Sequence, residues 1–400
     1  MDIGTLLSRI FGDPDQAFVT LKHWLVDLAP PAIQPLVSIM LSIAPILGVF
    51  PLLFAITTVL ERKGLGRIQN RLGPNRVGPY GWLQPVADGL KAIIKEDVVP
   101  RAADKVVHFL APVVIVVPVL LVYAVLPVGR NMVAIDIDAG VLFFFAVGAS
   151  TELAIFMAGW ASRNKYSLLG AMRAIAQMIS YEVPLILSAV TVVMMTGSLS
   201  TMKIVEAQGT YHGLLPDWHV FTPWGLAGFL MFMVAATAEA NRSPFDIPEG
   251  ESEIIAGYFV EYSGFKFALF FLGEYLGLFA ASGLAITLFL GGWHAPAEWL
   301  TWVPSYVWFF TKLVLFIAMF IWVRGTLPRV RMDQLMNFAW KFMLPLALVN
   351  ILAAALWRFL PVGPARWVIT SVVILGAYLV LARVVGGEKH FTKREYRFAE

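Results

Sequence analysis

Residues 223–290 read PWGLAGFLMFMVAATAEANRSPFDIPEGESEIIAGYFVEYSGFKFALFFLGEYLGLFAASGLAITLFL. Two apolar runs, 223–240 and 265–290, flank a short polar loop. A helix of about 17–25 mostly apolar residues crosses the hydrocarbon core of a bilayer, so the stretch reads as span, loop, span. The segment from Glu239 to Tyr262 holds six carboxylates, Glu239, Asp246, Glu249, Glu251, Glu253 and Glu261, out of 27 acids in the chain. A hydrophobic chain that gathers acid at one place has a use for it.

Working outward, the same alternation fills the sequence. Apolar residues make up 58% of the 400 and charged residues 14%, against roughly 45–50% and 25% in soluble domains. Nine spans are expected, at 35–60, 107–127, 141–161, 174–196, 223–240, 265–290, 303–323, 341–360 and 366–385. The fold class is all-α: a polytopic membrane protein with interfacial amphipathic helices. Residues 1–34 form an amino-terminal amphipathic segment, 35–386 one transmembrane domain, and 387–400 a basic cytoplasmic tail. The start, MDIGTLLSRIFGDP, lacks the basic opening and cleavage site of a signal peptide. Its Ile3, Leu6, Leu7, Ile10 and Phe11 recur at helical spacing, as in a helix lying on the membrane surface.

Lysine and arginine set the orientation, because cytoplasmic loops carry the excess. The loops after spans one, three, five and seven, with the tail and the span ends that border them, hold 23 of the 30. The amino terminus is therefore placed outside and the carboxyl terminus in the cytoplasm of a bacterial inner membrane, with loops 61–106 and 241–264 cytoplasmic. Cysteine is absent, which removes disulfides, thiolate zinc, iron–sulfur ligation and cysteine catalysis. The six histidines lie in loops or at helix ends, with no mid-membrane pair for a haem. No metal site and no nucleic-acid partner are expected.

Charge inside the spans is the strongest functional signal, since such residues normally face protein or water. Glu152, Glu182, Glu239, Glu274 and Lys312 lie there, Lys312 as either a buried counter-ion or a snorkelling residue. With this orientation Glu239 is at the cytoplasmic face, and Glu152 and Glu274 are about 14 Å deeper. Glu182 and Lys312 are about 12–18 Å in. All four carboxylates thus occupy the cytoplasmic half. In span four Arg173, Gln177 and Tyr181 form a polar stripe beside Glu182, which fits a hydrated path better than a helix contact. In the acidic loop, Glu249, Glu253 and Glu261 share one face if the segment is helical. In the first loop Gln84–Asp97 has the pattern of an amphipathic surface helix, with Val86, Leu90, Ile93 and Ile94 on one side. Its glycines fit neither GxGxxG nor a P-loop, so no nucleotide phosphate site is expected.

Four segments carry a family resemblance: ERKGLGRIQNRLGPNRVGPYGWLQPVADGLKAIIKE (61–96), GWASRNKYSLLGAMRAIAQMISYEVPL (159–185), AEANRSPFDIPEGESEIIAGYFVEYSGFKFALFFLGEY (238–275) and WVRGTLPRVRMDQLMNFAWKF (322–342). They cover most of residues 50–350, and the chain resembles the H subunit of respiratory complex I, the proton-pumping NADH:quinone oxidoreductase. The resemblance implies a membrane subunit that shares the quinone-reduction chamber with peripheral iron–sulfur subunits. It also implies contact with small membrane subunits leading to antiporter-like pumps, and with membrane lipid. Ubiquinone or menaquinone is then the substrate, and this chain carries no flavin, haem or iron–sulfur cluster. On this resemblance Glu152, Glu182, Glu239, Glu249, Glu251, Glu253, Glu261 and Glu274 form a proton-coupling path, and Glu61, Arg62, Arg71 and Asp88 surround the quinone chamber. A matching subunit of a related hydrogenase or dehydrogenase complex would share these acids, and copurifying subunits separate the two. An independent ion transporter would show paired interrupted helices in an internal repeat, and none is visible.

Overall fold

The computed structural model describes Ser8 and residues 12–213, 215–247 and 256–387. Among these, α1 (Ala17–Asp27) is a short surface helix and α2 (Gln34–Ile68) is the first long one. The amphipathic pattern of the first loop folds as α3 (Gln84–Ile94). Its Val86, Leu90 and Ile93 stay 58%, 55% and 66% exposed, so that face is left for lipid. Next come α4 (Lys105–Val122), α5 (Gly140–Gly148) and α6 (Ser150–Ala161), the last two forming one bent span. The central part contains α7 (Lys165–Thr196), the short α8 (Thr201–Glu206), α9 (Pro223–Glu239) and α10 (Gly264–Phe289). The last spans are α11 (Ser305–Thr326), α12 (Met332–Asn337) continuing into α13 (Leu344–Phe359), and α14 (Pro364–Gly387). Among the described residues, eight helices or helix pairs are long and apolar enough to cross a membrane. The remaining expected span, the fifth, is α9, which is apolar but has only 17 residues, a little under the usual length. Strand structure among the described residues is confined to a two-residue ladder, Tyr211–His212 against Leu215–Pro216.

Several helices outrun their apolar cores. α2 ends at Ile68 where the apolar run stops near 60, and α7 begins at Lys165, well before 174. Apolarity marks the bilayer, whereas backbone hydrogen bonding continues into water. The α12–α13 span carries a π-helical turn at Phe338–Met343. It sits directly before Pro345, which has no N–H to give the carbonyl four residues earlier.

α10 is the axis of the bundle: 78% of its apolar window is buried, against 6% in α2 and in α14. Its Leu276, Phe279, Leu284, Ile286 and Phe289 are fully enclosed. α4 packs along one side of it and α9 along another, with α7 wedged against α9, α6 and α13. Polar groups that meet the middle of α10 are therefore shielded from bulk water, whereas Lys266 at its start pairs with the partly exposed Asp97.

Candidate functional site

Glu61 stands inside α2, not in the loop after it, and is 6% exposed. A carboxylate so buried needs compensation, and three side chains from three other segments supply it. Arg324 at the end of α11 makes an ion pair with one oxygen, and the Tyr275 hydroxyl donates to the other. Arg242, just past α9, lies 3.8 Å from Glu61 with its guanidinium 3.8 Å over the Tyr275 ring. Nearby, Arg329 donates to the Asp246 Oδ2 at 2.9 Å, while the Asp246 Oδ1 is buried without a partner among the described residues. Burial pushes the Asp246 carboxyl up, and Arg329, Arg324 and Arg242 oppose the shift. Arg242, Arg324, Tyr275 and Asp246 fall outside the expected set of site residues. Their signal is nonetheless in the sequence: a carboxylate closing one apolar run, and arginines closing others on the same side.

Glu274, on α10, faces the same cluster and interacts electrostatically with Arg242, Asp246 and Arg324. It accepts a 2.7 Å hydrogen bond from the Tyr258 hydroxyl. Tyr258 comes from the second half of the acidic loop, which is seated tightly on α7. Ser167 Oγ donates to the Tyr258 carbonyl at 2.9 Å, and a Cβ on Gly170 would fall 2.7 Å from the Gly257 Cα. Only glycines permit that approach. Glu261 accepts from the Asn164 side chain at 2.8 Å at the start of α7, where helix N–H groups favour an anion. Tyr262 stacks on the buried His108 with ring centroids 4.0 Å apart.

The expected helical face cannot run unbroken to Glu261. Ala256 is non-helical and Gly257 has φ of +58°, so Glu261 follows a break. Glu249, Glu251 and Glu253 themselves, like Ile3, Leu6, Leu7, Ile10 and Phe11, lie outside the described residues.

A cavity with about 80 Å³ open to water-sized molecules lies among α4, α5, α6, α7, α9 and α10. Its walls are mostly apolar, but Glu239 and Glu274 both reach it, along with Thr151 and Asn241. One water needs about 10–15 Å³ on this measure and two to four polar partners, so the space holds several. The Glu239 Oε2 is buried with no protein partner among the described residues. Glu239 also interacts with Glu182 and Glu152, which interact with each other. The structure thus brings Glu274, Glu239, Glu182 and Glu152 into one neighbourhood.

Around the first loop, Arg62 pairs with Asp88 at 2.6 Å, and Gln84 donates to the same carboxylate at 2.9 Å. These contacts tie the end of α2 to α3. Arg71 is exposed and donates to Gln69, so Arg71 is separated from Glu61, which points into the bundle. The 61–106 and 241–264 loops also meet: Val98 N–H donates to Ser263 Oγ at 2.9 Å, and Lys266, at the start of α10, pairs with Asp97 at 2.6 Å.

Two expectations need correction. Gln177 and Tyr181 do not line a hydrated stripe. The Gln177 amide donates at 2.7 Å to the carbonyls of Ala238 and Phe245, and the Tyr181 hydroxyl donates to that of Leu335 at 2.9 Å. Both are fully buried and fasten α7 to its neighbours. Lys312 is neither a counter-ion nor a snorkelling residue. Its ammonium donates to the carbonyls of Leu290, Gly292 and His294 at 2.7–2.8 Å and lies 4.1 Å over the Trp218 ring. It closes the carboxyl end of α10, where orphan carbonyls need donors.

Residues 41–355 match the family model for NADH dehydrogenase. The chain is 52% identical over 296 residues to the H subunit of the NADH-quinone oxidoreductase of Dehalococcoides mccartyi (strain CBDB1), covering 74% of this chain and 80% of that protein. It is 50% identical over 303 residues to the protein of that name from Geobacillus kaustophilus (strain HTA426), covering 75% and 88%. With the one from Brevibacillus brevis it shares 48% over 295 residues, covering 74% and 85%.

Proposed function

The chain belongs to the NADH dehydrogenase family, as a membrane subunit of NADH-quinone oxidoreductase, and from that premise we propose that it forms part of the quinone chamber and passes protonic coupling inward through Glu274, Glu239, Glu182 and Glu152. The observation that carries this reading is the cavity reached by both Glu239 and Glu274. Of these two, Glu274 interacts with Arg242, Asp246 and Arg324, and Glu239 interacts with Glu182 and Glu152.

In this reading the quinone tail leaves the lipid beside α2 and the exposed apolar face of α3, past Arg62 and Asp88. The head group meets the charges behind them. Two electrons reach it from the iron–sulfur chain of peripheral subunits, and the reduced head group takes up two protons. Until those protons arrive the reduced head group is negative, and in low-dielectric protein that charge acts on Arg242, Asp246 and Glu274, where Coulomb terms are large. Protons then redistribute through the hydrated cavity to Glu239 and on to Glu182 and Glu152. Tyr258 ties the acidic loop to this step, because its hydroxyl is bonded to Glu274. Glu249, Glu251, Glu253 and Glu261 supply the loop's remaining charge. The basic loops face the cytoplasm of a bacterial inner membrane, where peripheral subunits dock, and small membrane subunits lie toward the antiporter-like pumps.

Glu239→Gln and Glu182→Gln test the path in the intact assembly in sealed vesicles. Each variant is expected to assemble normally and to lose roughly tenfold or more of coupled NADH:quinone turnover and proton uptake, the scale of a lost proton-transfer group. Wild-type pumping in both variants would remove the glutamates from the mechanism.

A further inference from the structure

A second cavity, with about 390 Å³ open to water-sized molecules, lies between α1, the first half of α2, residues 128–134 and the start of α11. It opens near the end of the bundle where α2 begins, away from the Glu61 cluster near the helix's other end. Pro45, Ile46, Phe50, Tyr123, Leu126 and Phe310 make its walls apolar. One end is polar. The Lys22 ammonium donates to Ser42 Oγ at 2.7 Å, and that hydroxyl is itself tied to the Ser38 carbonyl at 2.9 Å. Lys22 thus has a fixed position on the cavity lip, and it forms no ion pair among the described residues.

The gap is built into the fold. α1 folds back beside α2 and is held away from the bundle by contacts at its own start. Asp15 accepts from the Ser305 N–H at 2.7 Å, Gln16 donates to the Arg130 carbonyl at 3.2 Å, and Phe18 meets Tyr306 edge-on at 5.2 Å. These contacts bridge α1 to α11 and to the 128–134 connection, and the space beneath them remains.

An apolar slot in a membrane protein with an ammonium fixed at its lip matches one class of molecule, an amphiphile with an anionic head. We propose that this cavity binds an anionic phospholipid of the surrounding membrane, with one acyl chain between α1 and α2 and the phosphate on Lys22. Burial of the chain supplies affinity, and the ammonium supplies head-group preference. The site belongs to the amino-terminal segment, and most of its α1 wall lies before the region that matches the family.

The test uses the intact assembly in nanodiscs containing phosphatidylglycerol and phosphatidylcholine, one of them at a time bearing a photoreactive diazirine in an acyl chain. Labelled peptides are mapped by mass spectrometry. The expected result is labelling within 17–50 and 128–134, with the anionic lipid favoured roughly fivefold, the scale of one basic residue at a lipid surface. Lys22→Gln should bring the two lipids to parity, and Lys22→Arg should keep the preference. Ala134→Trp, which fills the cavity, should lower labelling by both lipids there and leave labelling of the exposed face of α14 unchanged. Equal labelling in the wild type, a preference that survives Lys22→Gln, or undiminished labelling in Ala134→Trp would overturn the proposal.

Discussion

Lys312 and Arg324 stand on the same helix, α11, about 18 Å apart along its axis, and both are cations drawn out of water. Lys312 spends its three protons on three backbone carbonyls of the α10 terminus. Around it Gln208 Oε1 accepts from the N–H groups of Gly291 and His219, and the Asn350 amide donates to the Trp224 carbonyl. The hydrogen bonds made at this end finish helices, while ring nitrogens of Trp218, His219 and His294 are buried without a partner among the described residues. Arg324 instead meets Glu61, which also faces Arg242 and Tyr275, with Asp246 and Glu274 close by. There charge answers charge, and one oxygen each of Glu239 and Asp246 has no partner among the described residues. The lesson is that a buried ion declares its role by what it touches. Bonds to backbone fix a structure, whereas bonds among titratable groups beside a cavity leave protonation free to change.

The comparison breaks first at Arg324. Removing one member of a fully buried pair costs about 3–5 kcal/mol; the Arg324 side chain is 35% exposed and Arg242 and Tyr275 stay beside Glu61, so the cost here is smaller. Arg324→Leu should therefore lower the amount of assembled complex and also cut quinone-linked turnover per assembled complex by about tenfold or more. Normal turnover in the complex that does assemble would show the cluster to be scaffolding. Lys312→Met should do the opposite. Losing donors to three buried carbonyls costs several kcal/mol on the scale of about 1–3 kcal/mol per unsatisfied group, and the yield of folded subunit falls. Turnover per assembled complex should stay within about twofold, since no reacting group is touched. A tenfold loss there would dissolve the distinction between the two ends.

His219 gives the smallest effect. Burial, opposed weakly by Asp217, holds its imidazole down from the ordinary 6.5 to about 4. A histidine kept neutral when folded binds fewer protons than when unfolded, so its contribution is intact above pH 6.5 and is lost as pH falls from there toward 4. Hydrogen exchange of peptides covering 211–222, corrected for intrinsic rate, should rise between about pH 6.5 and 4.5 in the wild type. His219→Gln should flatten that rise. An unchanged pH profile in the variant would place the acid-sensitive group elsewhere.

The spans were legible because hydrocarbon thickness imposes one length on every apolar run. Their ends were not, since the polar turns of α2 and α7 that stand in water look like loop. Glu152, Glu182, Glu239 and Glu274 stood out as acids in apolar surroundings, and the fold brings them together. Arg242, Arg324 and Tyr275 did not stand out, because each lies at a span end where arginine or tyrosine is ordinary. Only the convergence of α2, α9, α10 and α11 makes them a cluster. Gln177 and Tyr181 misled for the same reason: a polar stripe at helical spacing says that partners exist, without saying that they are carbonyls.

α2 has 35 residues and is therefore about 52 Å long, some 20 Å more than a hydrocarbon core. Two prolines, Pro45 and Pro51, interrupt its hydrogen bonding within the apolar part. Beyond Pro51 the helix runs about 26 Å to Ile68, carrying Glu61 and Arg62 on opposite sides of the same arm. Pivoting by about 5° at that proline would swing the far tip by about 2 Å. The helix is a lever with two arms of equal length, one in lipid and the other carrying Glu61 into the charged cluster about 15 Å from the pivot. A displacement too small to disturb the bilayer can still make or break a hydrogen bond at its tip.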